Sequence, residues 1–214
     1  MRSIPRLVLV TDRRLTGEDR LLGAVEQAVR GGVEAVLVRE KDLADEALER
    51  LVRAVLEAVG DRAQVILNNR PHLAQALGTG LHLPEDAPRP EGDWPIWGRS
   101  VHTAERTVLA AAERPHYLIA GPVFATDSKP GHPPLDLTGF RRIVGCAGDV
   151  PVLAIGGITP PRVPEVVAAG AWGVAVRAAV LRAGDPEDAA RRLWRALTTT
   201  STPLPRRGRE GPVA

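Results

Sequence analysis

The chain has 214 residues, 44% of them hydrophobic and 25% charged, with 28 Lys and Arg against 26 Asp and Glu for a formal net charge of +2. That composition suits one large globular domain and excludes whole-chain disorder, and the alternation of acids and bases in segments such as ALERLVRAVLEAV leaves little support for nucleic-acid binding. No apolar run approaches a membrane-spanning length, no secretory signal opens the chain, and the single cysteine, Cys146, has no partner for a disulfide or a metal site, so a cytoplasmic protein without a membrane partner is expected.

The first apolar run, LVLV at 7–10, breaks into Thr11-Asp12-Arg13, and apolar residues at helical spacing follow at 19–30. EAVLV at 34–38 ends in Arg39-Glu40-Lys41 and leads to a helical pattern at 44–58. QVIL at 64–67 ends in Asn68-Asn69-Arg70, and GLHL at 80–83 ends in Pro84-Glu85-Asp86. The next connection, PEDAPRPEGD, holds too much proline for a full helix, so one helix should be short or missing between strands 4 and 5. WPIW at 94–97 leads into Gly98-Arg99-Ser100-Val101-His102 and a helical segment at 103–113. YLIA at 117–120 precedes Thr126-Asp127-Ser128-Lys129 and a helix at 136–144. VPVLAI at 150–155 ends in Gly156-Gly157 before a helix at 160–168, and WGVAV at 172–176 precedes the last helix, 186–197.

Continuous apolar runs, as opposed to alternating ones, are what strands buried on both faces of a parallel sheet require. Eight of them separated by helices predict an α/β fold, a single (β/α)8 TIM barrel, although an open doubly wound sheet gives a similar pattern. The domain is placed at 1–200. Residues 201–214, with Arg206, Arg207 and Arg209 among Pro and Gly, read as a disordered C-terminal tail. In a barrel the polar strand ends converge on one mouth and build one site.

Lys41 and Lys129 are the only lysines, each just beyond a predicted strand. A compact ammonium at the mouth suits phosphate or carboxylate, while chance retention of two surface lysines is the bland alternative. Gly156-Gly157 before Thr159-Pro160 reads as a tight turn or as an anion seat at a helix start. His82 and His102 are either packed core residues or acid/base groups, with His102 the better candidate because Arg99 and Ser100 beside it are expected at the mouth. His72 and His116 read as surface residues, and His132 sits in a loop, KPGHPP, that could act as a lid.

At VTDR (10–13), VREK (38–41), NNR (68–70), GLHLPED (80–86), GRSVH (98–102), GPVFATDSK (121–129), VLAIGGI (152–158) and GVAV (173–176) the chain resembles the thiamine phosphate synthase/TenI family, from Leu7 to about Leu197. The resemblance implies a barrel with a thiazole phosphate-type ligand bound at its mouth, and makes a homodimer plausible. Within the family the synthase joins a pyrimidine diphosphate to thiazole phosphate with Mg²⁺, whereas TenI aromatises a thiazole phosphate carboxylate by proton transfer without metal. Leu37 stands where the synthase pattern has Gln, Asn69 where it has an Asp metal ligand, and Pro84-Glu85-Asp86 where it has a longer turn. GRSVH and Leu83-Pro84 look like TenI. The expected activity is therefore a thiazole tautomerase with no metal or other cofactor; the alternatives are the synthase with Mg²⁺ and a non-catalytic thiamine-linked regulator. The expected catalytic residues are His102, His82 and Lys129. Arg39, Lys41, Asn69, Ser100, Thr126, Ser128, Lys129, Gly156 and Gly157 are the expected substrate and phosphate contacts. Pro122 stands where TenI proteins can carry a catalytic His, which leaves the proton carrier unassigned.

Overall fold

Leu7–Val10 form the first strand, β1, and all four side chains are buried because the two faces meet different hydrophobic layers. Val8 and Val10 belong to an inner cluster with Ala35, Leu37, Ile66, Tyr117, Ile119, Leu153 and Ala175. Leu7 and Leu9 belong to a larger outer cluster with helix residues such as Val25, Val52 and Leu193. Successive strand residues point to opposite faces, so a strand between a filled barrel interior and a helical jacket has no solvent side on which a polar residue would be favoured.

The computed structural model describes residues 3–126 and 133–200. After β1 come α1 (Arg13–Thr16), α2 (Glu18–Arg30), β2 (Ala35–Val38), α3 (Asp45–Val59), β3 (Gln64–Asn68), α4 (Pro71–Ala76) and β4 (Gly80–Leu83). Then follow β5 (Trp97–Val101), α5 (Ala104–Ala112), β6 (Tyr117–Ala120), α6 (Asp136–Cys146), β7 (Val152–Ile155), α7 (Val163–Ala168), β8 (Gly173–Val176), α8 (Ala178–Leu181) and α9 (Pro186–Thr199). The strands pair in chain order and β8 returns to β1, with Leu7 opposite Val174, so the sheet is a closed parallel barrel and the open-sheet alternative is excluded. The helices bury one stripe each: Leu48, Val52, Val55 and Val59 repeat at helical spacing along α3. Asp12, Thr103 and Asp185 cap α1, α5 and α9 by accepting from backbone N–H groups two or three residues on. No helix among the described residues is long and apolar enough to cross a membrane.

Residues 84–96 contain no helix. The fifth strand, however, is Trp97–Val101 and not the apolar WPIW at 94–97. Here the outward residue is Arg99, 2% exposed, whose guanidinium donates to the carbonyls of Pro84, Glu85 and Ala87 and pairs with Glu113 at 2.6 Å. Where a helix is missing, loop carbonyls cover the sheet, and the strand beneath them carries a cation in place of an apolar residue. Arg99 is thereby turned away from the role at the mouth expected of it. On the inner side Gly98 makes room for Tyr117, since a Cβ there would come within 2.3 Å of its ring. The segment 160–168 is a 3-10 turn, Pro160–Arg162, running into α7, and Thr159 stands before it without a side-chain cap bond. The short helices α1, α4 and α8 were not legible as periodic patterns, each being too brief to show a period. The expected tail, 201–214, lies outside the described residues.

Candidate functional site

Glu40, only 5% exposed, ties the loops after β1 and β2 together. It accepts from the Thr11 hydroxyl (2.7 Å), from the Arg13 backbone N–H (3.1 Å) and from the Arg13 guanidinium (3.2 Å). Thr11 Oγ1 in turn accepts from the Arg39 backbone N–H at 3.0 Å. Arg13 also grips both oxygens of Asp42 (2.7 and 2.8 Å), and that bond holds the Asp42 carboxyl well below the usual carboxylate range. A buried carboxylate satisfied by several donors fixes the backbone on either side of it, which here means Arg39 and Lys41. Both line a cavity of about 840 Å³ at the C-terminal ends of the strands.

The cavity floor is apolar, formed by Val10, Leu37, Ile119, Ile155 and Ala175. Its wall carries Arg39, Lys41, Arg70, Arg162, Arg177 and Arg182 against the carboxylates of Glu40 and Glu85. A net positive mouth over a hydrophobic floor suits a ring with anionic substituents.

His82 is 2% exposed and stacks on Tyr117 with ring centroids 5.6 Å apart. Its Nδ1 lies 3.1 Å from the Tyr117 hydroxyl and its Nε2 2.9 Å from Ser100 Oγ. Burial, reinforced by Arg39 and Arg99, pushes its pKa down to about 3, so the ring is neutral at physiological pH. With both nitrogens engaged and protonation disfavoured, His82 is not suited to carry a proton; that expectation is corrected to one of holding the Ser100 hydroxyl.

His102 follows β5 and its position is fixed twice. Its backbone N–H donates to Glu85 Oε1 (2.8 Å), and its Nδ1 lies 2.6 Å from the Gly121 carbonyl. A carbonyl only accepts, so Nδ1 bears the hydrogen and Nε2 keeps the lone pair when the ring is neutral. His102 is half-buried and lines the cavity, beside Pro122.

Gly156 and Gly157 line the same cavity with φ of 99° and 64°. A Cβ on Gly156 would lie 2.5 Å from Pro122, and one on Gly157 would lie 2.8 Å from Phe124 Cβ. The loop after β6 therefore crosses directly over this turn, and Arg162 locks the two by donating to the Gly157 carbonyl (2.8 Å) while stacking 4.4 Å above the Phe124 ring. Thr126 and exposed Asn69, whose φ is 53°, also line the cavity.

Nine of the eleven expected site residues thus border one cavity: His82, His102, Arg39, Lys41, Asn69, Ser100, Thr126, Gly156 and Gly157. Lys129, Ser128 and the proposed lid histidine His132 lie outside the described residues. His72 is exposed and bonds Asp45 at 2.8 Å, whereas His116 is half-buried and accepts from the Trp97 N–H at 3.0 Å. The sequence reading missed Arg162, Arg177 and Arg182. The rule that found the other strand ends also finds Arg177, the first residue beyond β8, and Arg162 is legible only once the Gly156-Gly157 turn is seen to be bridged.

Three comparisons bear on this cavity. A family model described as thiamine monophosphate synthase matches residues 7–180. The chain is 41% identical over 196 residues to a thiamine-phosphate synthase of Roseiflexus castenholzii, covering 86% of this chain and 85% of that protein. It is 38% identical over 201 residues to a thiamine-phosphate synthase of Moorella thermoacetica, covering 90% and 95%. Among solved structures it resembles a thiamine phosphate pyrophosphorylase from Pyrococcus furiosus with a TM-score of 0.78 at 29% identity, covering 91% of this chain and 96% of that one.

Proposed function

The chain belongs to the thiamine monophosphate synthase family, which makes it an enzyme of thiamine biosynthesis, and we propose that it joins a pyrimidine diphosphate to a thiazole phosphate with release of inorganic pyrophosphate. The names of the relatives favour this reaction over the tautomerase expected from the sequence. The observation that carries it is one cavity with cations in two groups, Arg39, Lys41 and Arg177 beyond β2 and β8 and Arg162 at the Gly156-Gly157 turn, above an apolar floor. Two phosphorylated rings need that arrangement.

In the proposed reaction the bond between the pyrimidine methylene and its diphosphate oxygen breaks, and the thiazole nitrogen forms a bond to the same carbon. Negative charge grows on the departing diphosphate, where half-buried Arg39 and exposed Lys41 stabilise it. Leu37, Ile119 and Ile155 exclude water from the rings, and Ser100, held by His82, offers a fixed hydroxyl. The residues present do not fit the Mg²⁺ site that the resemblance attaches to the synthase. Asn69 supplies a neutral amide, Glu85 accepts from His102, and Asp86 is paired with Arg106.

His102 favours a second reading. Its fixed tautomer presents Nε2 as a base, which is what proton transfer in thiazole aromatisation requires and condensation does not. Purified protein given thiazole phosphate with pyrimidine diphosphate, and separately the unaromatised thiazole phosphate carboxylate alone, each with Mg²⁺ or with EDTA, separates the two. Thiamine phosphate with stoichiometric pyrophosphate is expected. Aromatised thiazole as the sole product would replace the condensation with the tautomerase reading.

A further inference from the structure

Three charged residues follow three neighbouring strands at the barrel mouth. The order around the barrel is β8, β1, β2, with Leu9 opposite Val176 and Val10 opposite Leu37. Arg177 is the first residue past β8, Asp12 the second past β1 and Arg39 the first past β2. A carboxylate on the central strand end is thus flanked by an arginine on each side. Asp12 Oδ2 meets the Arg177 guanidinium at 2.9 Å, with the two side chains 19% and 22% exposed. Its other oxygen, Oδ1, accepts from the Arg14 N–H at 3.2 Å and caps α1. Both arginines line the cavity alongside Gly156 and Gly157, whereas Asp12 is not among the lining residues.

The two guanidinium groups repel one another: Arg39 is held below its ordinary pKa by burial first and by Arg177 next, with Asp12 and Glu40 opposing. Asp12 relieves that repulsion with one negative charge. A phosphate offers two charges, three oxygens and the geometry for paired N–H donors. It has more to offer Arg177 than a singly charged carboxylate that already spends one oxygen on a helix cap.

We propose that Asp12 is a resident counter-ion which a phosphorylated substrate displaces from Arg177, the substrate oxyanion then lying between Arg177 and Arg39. Arg177 becomes a phosphate ligand of this chain, and Asp12 sets how tightly the anion is held. The assignment rests on the proposed function, because it presumes that the cavity takes phosphorylated substrates. It accounts for an arginine in the wall beyond β8, where loops of this fold commonly bind phosphate.

The test is calorimetric titration of the full-length protein with inorganic phosphate and with pyrophosphate at low and high salt. Arg177→Gln should weaken binding of at least one of them ten- to a hundredfold and reduce its salt dependence. Asp12→Asn keeps an oxygen for the α1 cap and removes the competing charge, so it should tighten binding three- to tenfold. In the Asp12→Asn, Arg177→Gln double variant that gain should vanish. If the ion pair only staples two loops together, Asp12→Asn leaves binding unchanged or weakens it, and the proposal is overturned. Unchanged binding in Arg177→Gln overturns it as well. Thermal unfolding of each variant checks folding, and Asp12→Ser, which also caps, replaces Asp12→Asn if that variant does not fold. No thiamine precursor enters the titrations, so a failure of the condensation assay leaves their result standing. Normal condensation with unaltered anion binding would sink this proposal alone.

Discussion

Acidification should destabilise the protein through one side chain well before its carboxylates titrate. His82 has an ordinary pKa of 6.5 when exposed and one near 3 when buried against Tyr117 and Ser100. Between those values the unfolded chain binds a proton that the folded chain refuses. The stability present above pH 6.5 is therefore lost as the pH falls, with full loss reached only near pH 3. Each unit below 6.5 approaches a cost of about 1.4 kcal/mol, so the native state should lose about 2 kcal/mol between neutral pH and pH 5. For a domain of this size that is a fall in Tm of about 4–8 °C. The measurement is denaturant or thermal unfolding at pH 7 and pH 5, on the native chain and on His82→Gln. The variant will be less stable at both values, but its difference between them should shrink by about 2 kcal/mol, since the titrating group is gone. An equal pH difference in both proteins would refute the reasoning, because acid sensitivity would then come from other groups.

Tyr117→Phe keeps the ring under Gly98 and removes only the hydroxyl, which leaves a buried histidine nitrogen unsatisfied; urea unfolding should report a loss of about 1–3 kcal/mol. Gly157→Ala places a methyl group against Phe124 and Ala125 at a positive φ, so it should cost about 2 kcal/mol or more of stability and weaken phosphate binding in calorimetry. Asn69→Asp adds a carboxylate at the cavity wall, and Mg²⁺ affinity measured by calorimetry in the presence of pyrophosphate should rise about tenfold, with no gain for the neutral Asn69→Gln.

The barrel was legible because burial on both faces writes itself into a strand as an unbroken apolar run, and β1, β4 and β6 coincide with their runs residue for residue. It became illegible at β5 for the same reason. The proline-rich connection announces a missing helix, but its consequence, a strand whose outer face is satisfied by loop carbonyls through Arg99, follows only from the packing. The polar strand ends led to Arg39, Lys41, Asn69, Ser100 and Gly156-Gly157. The role of His82 was not accessible, since the pKa that removes it from proton transfer depends on its depth, its ring partner and two distant arginines. Gly156 and Gly157 were legible as room for a ligand; that a Cβ on either would also meet Pro122 or Phe124 was not.

The helix-free flank between β4 and β5 has a further consequence for where the chain can be cut and rejoined. Arg99 grips the connection no further than Ala87, while Trp94 bonds back only to the Glu91 carbonyl, so the stretch between them is secured at its ends and little in its middle. On another side of the barrel the Arg6 guanidinium reaches the Leu197 carbonyl at 3.1 Å, bringing the beginning of β1 and the end of α9 within one side chain's reach. A circular permutant that starts at Pro90, ends at Arg89 and joins residue 200 to residue 3 through a short glycine-serine linker keeps every strand pairing and both halves of the mouth. Such a protein would place its new termini a few residues beyond Glu85, which lines the cavity, and so offer an attachment point for a sensor domain that reads its occupancy.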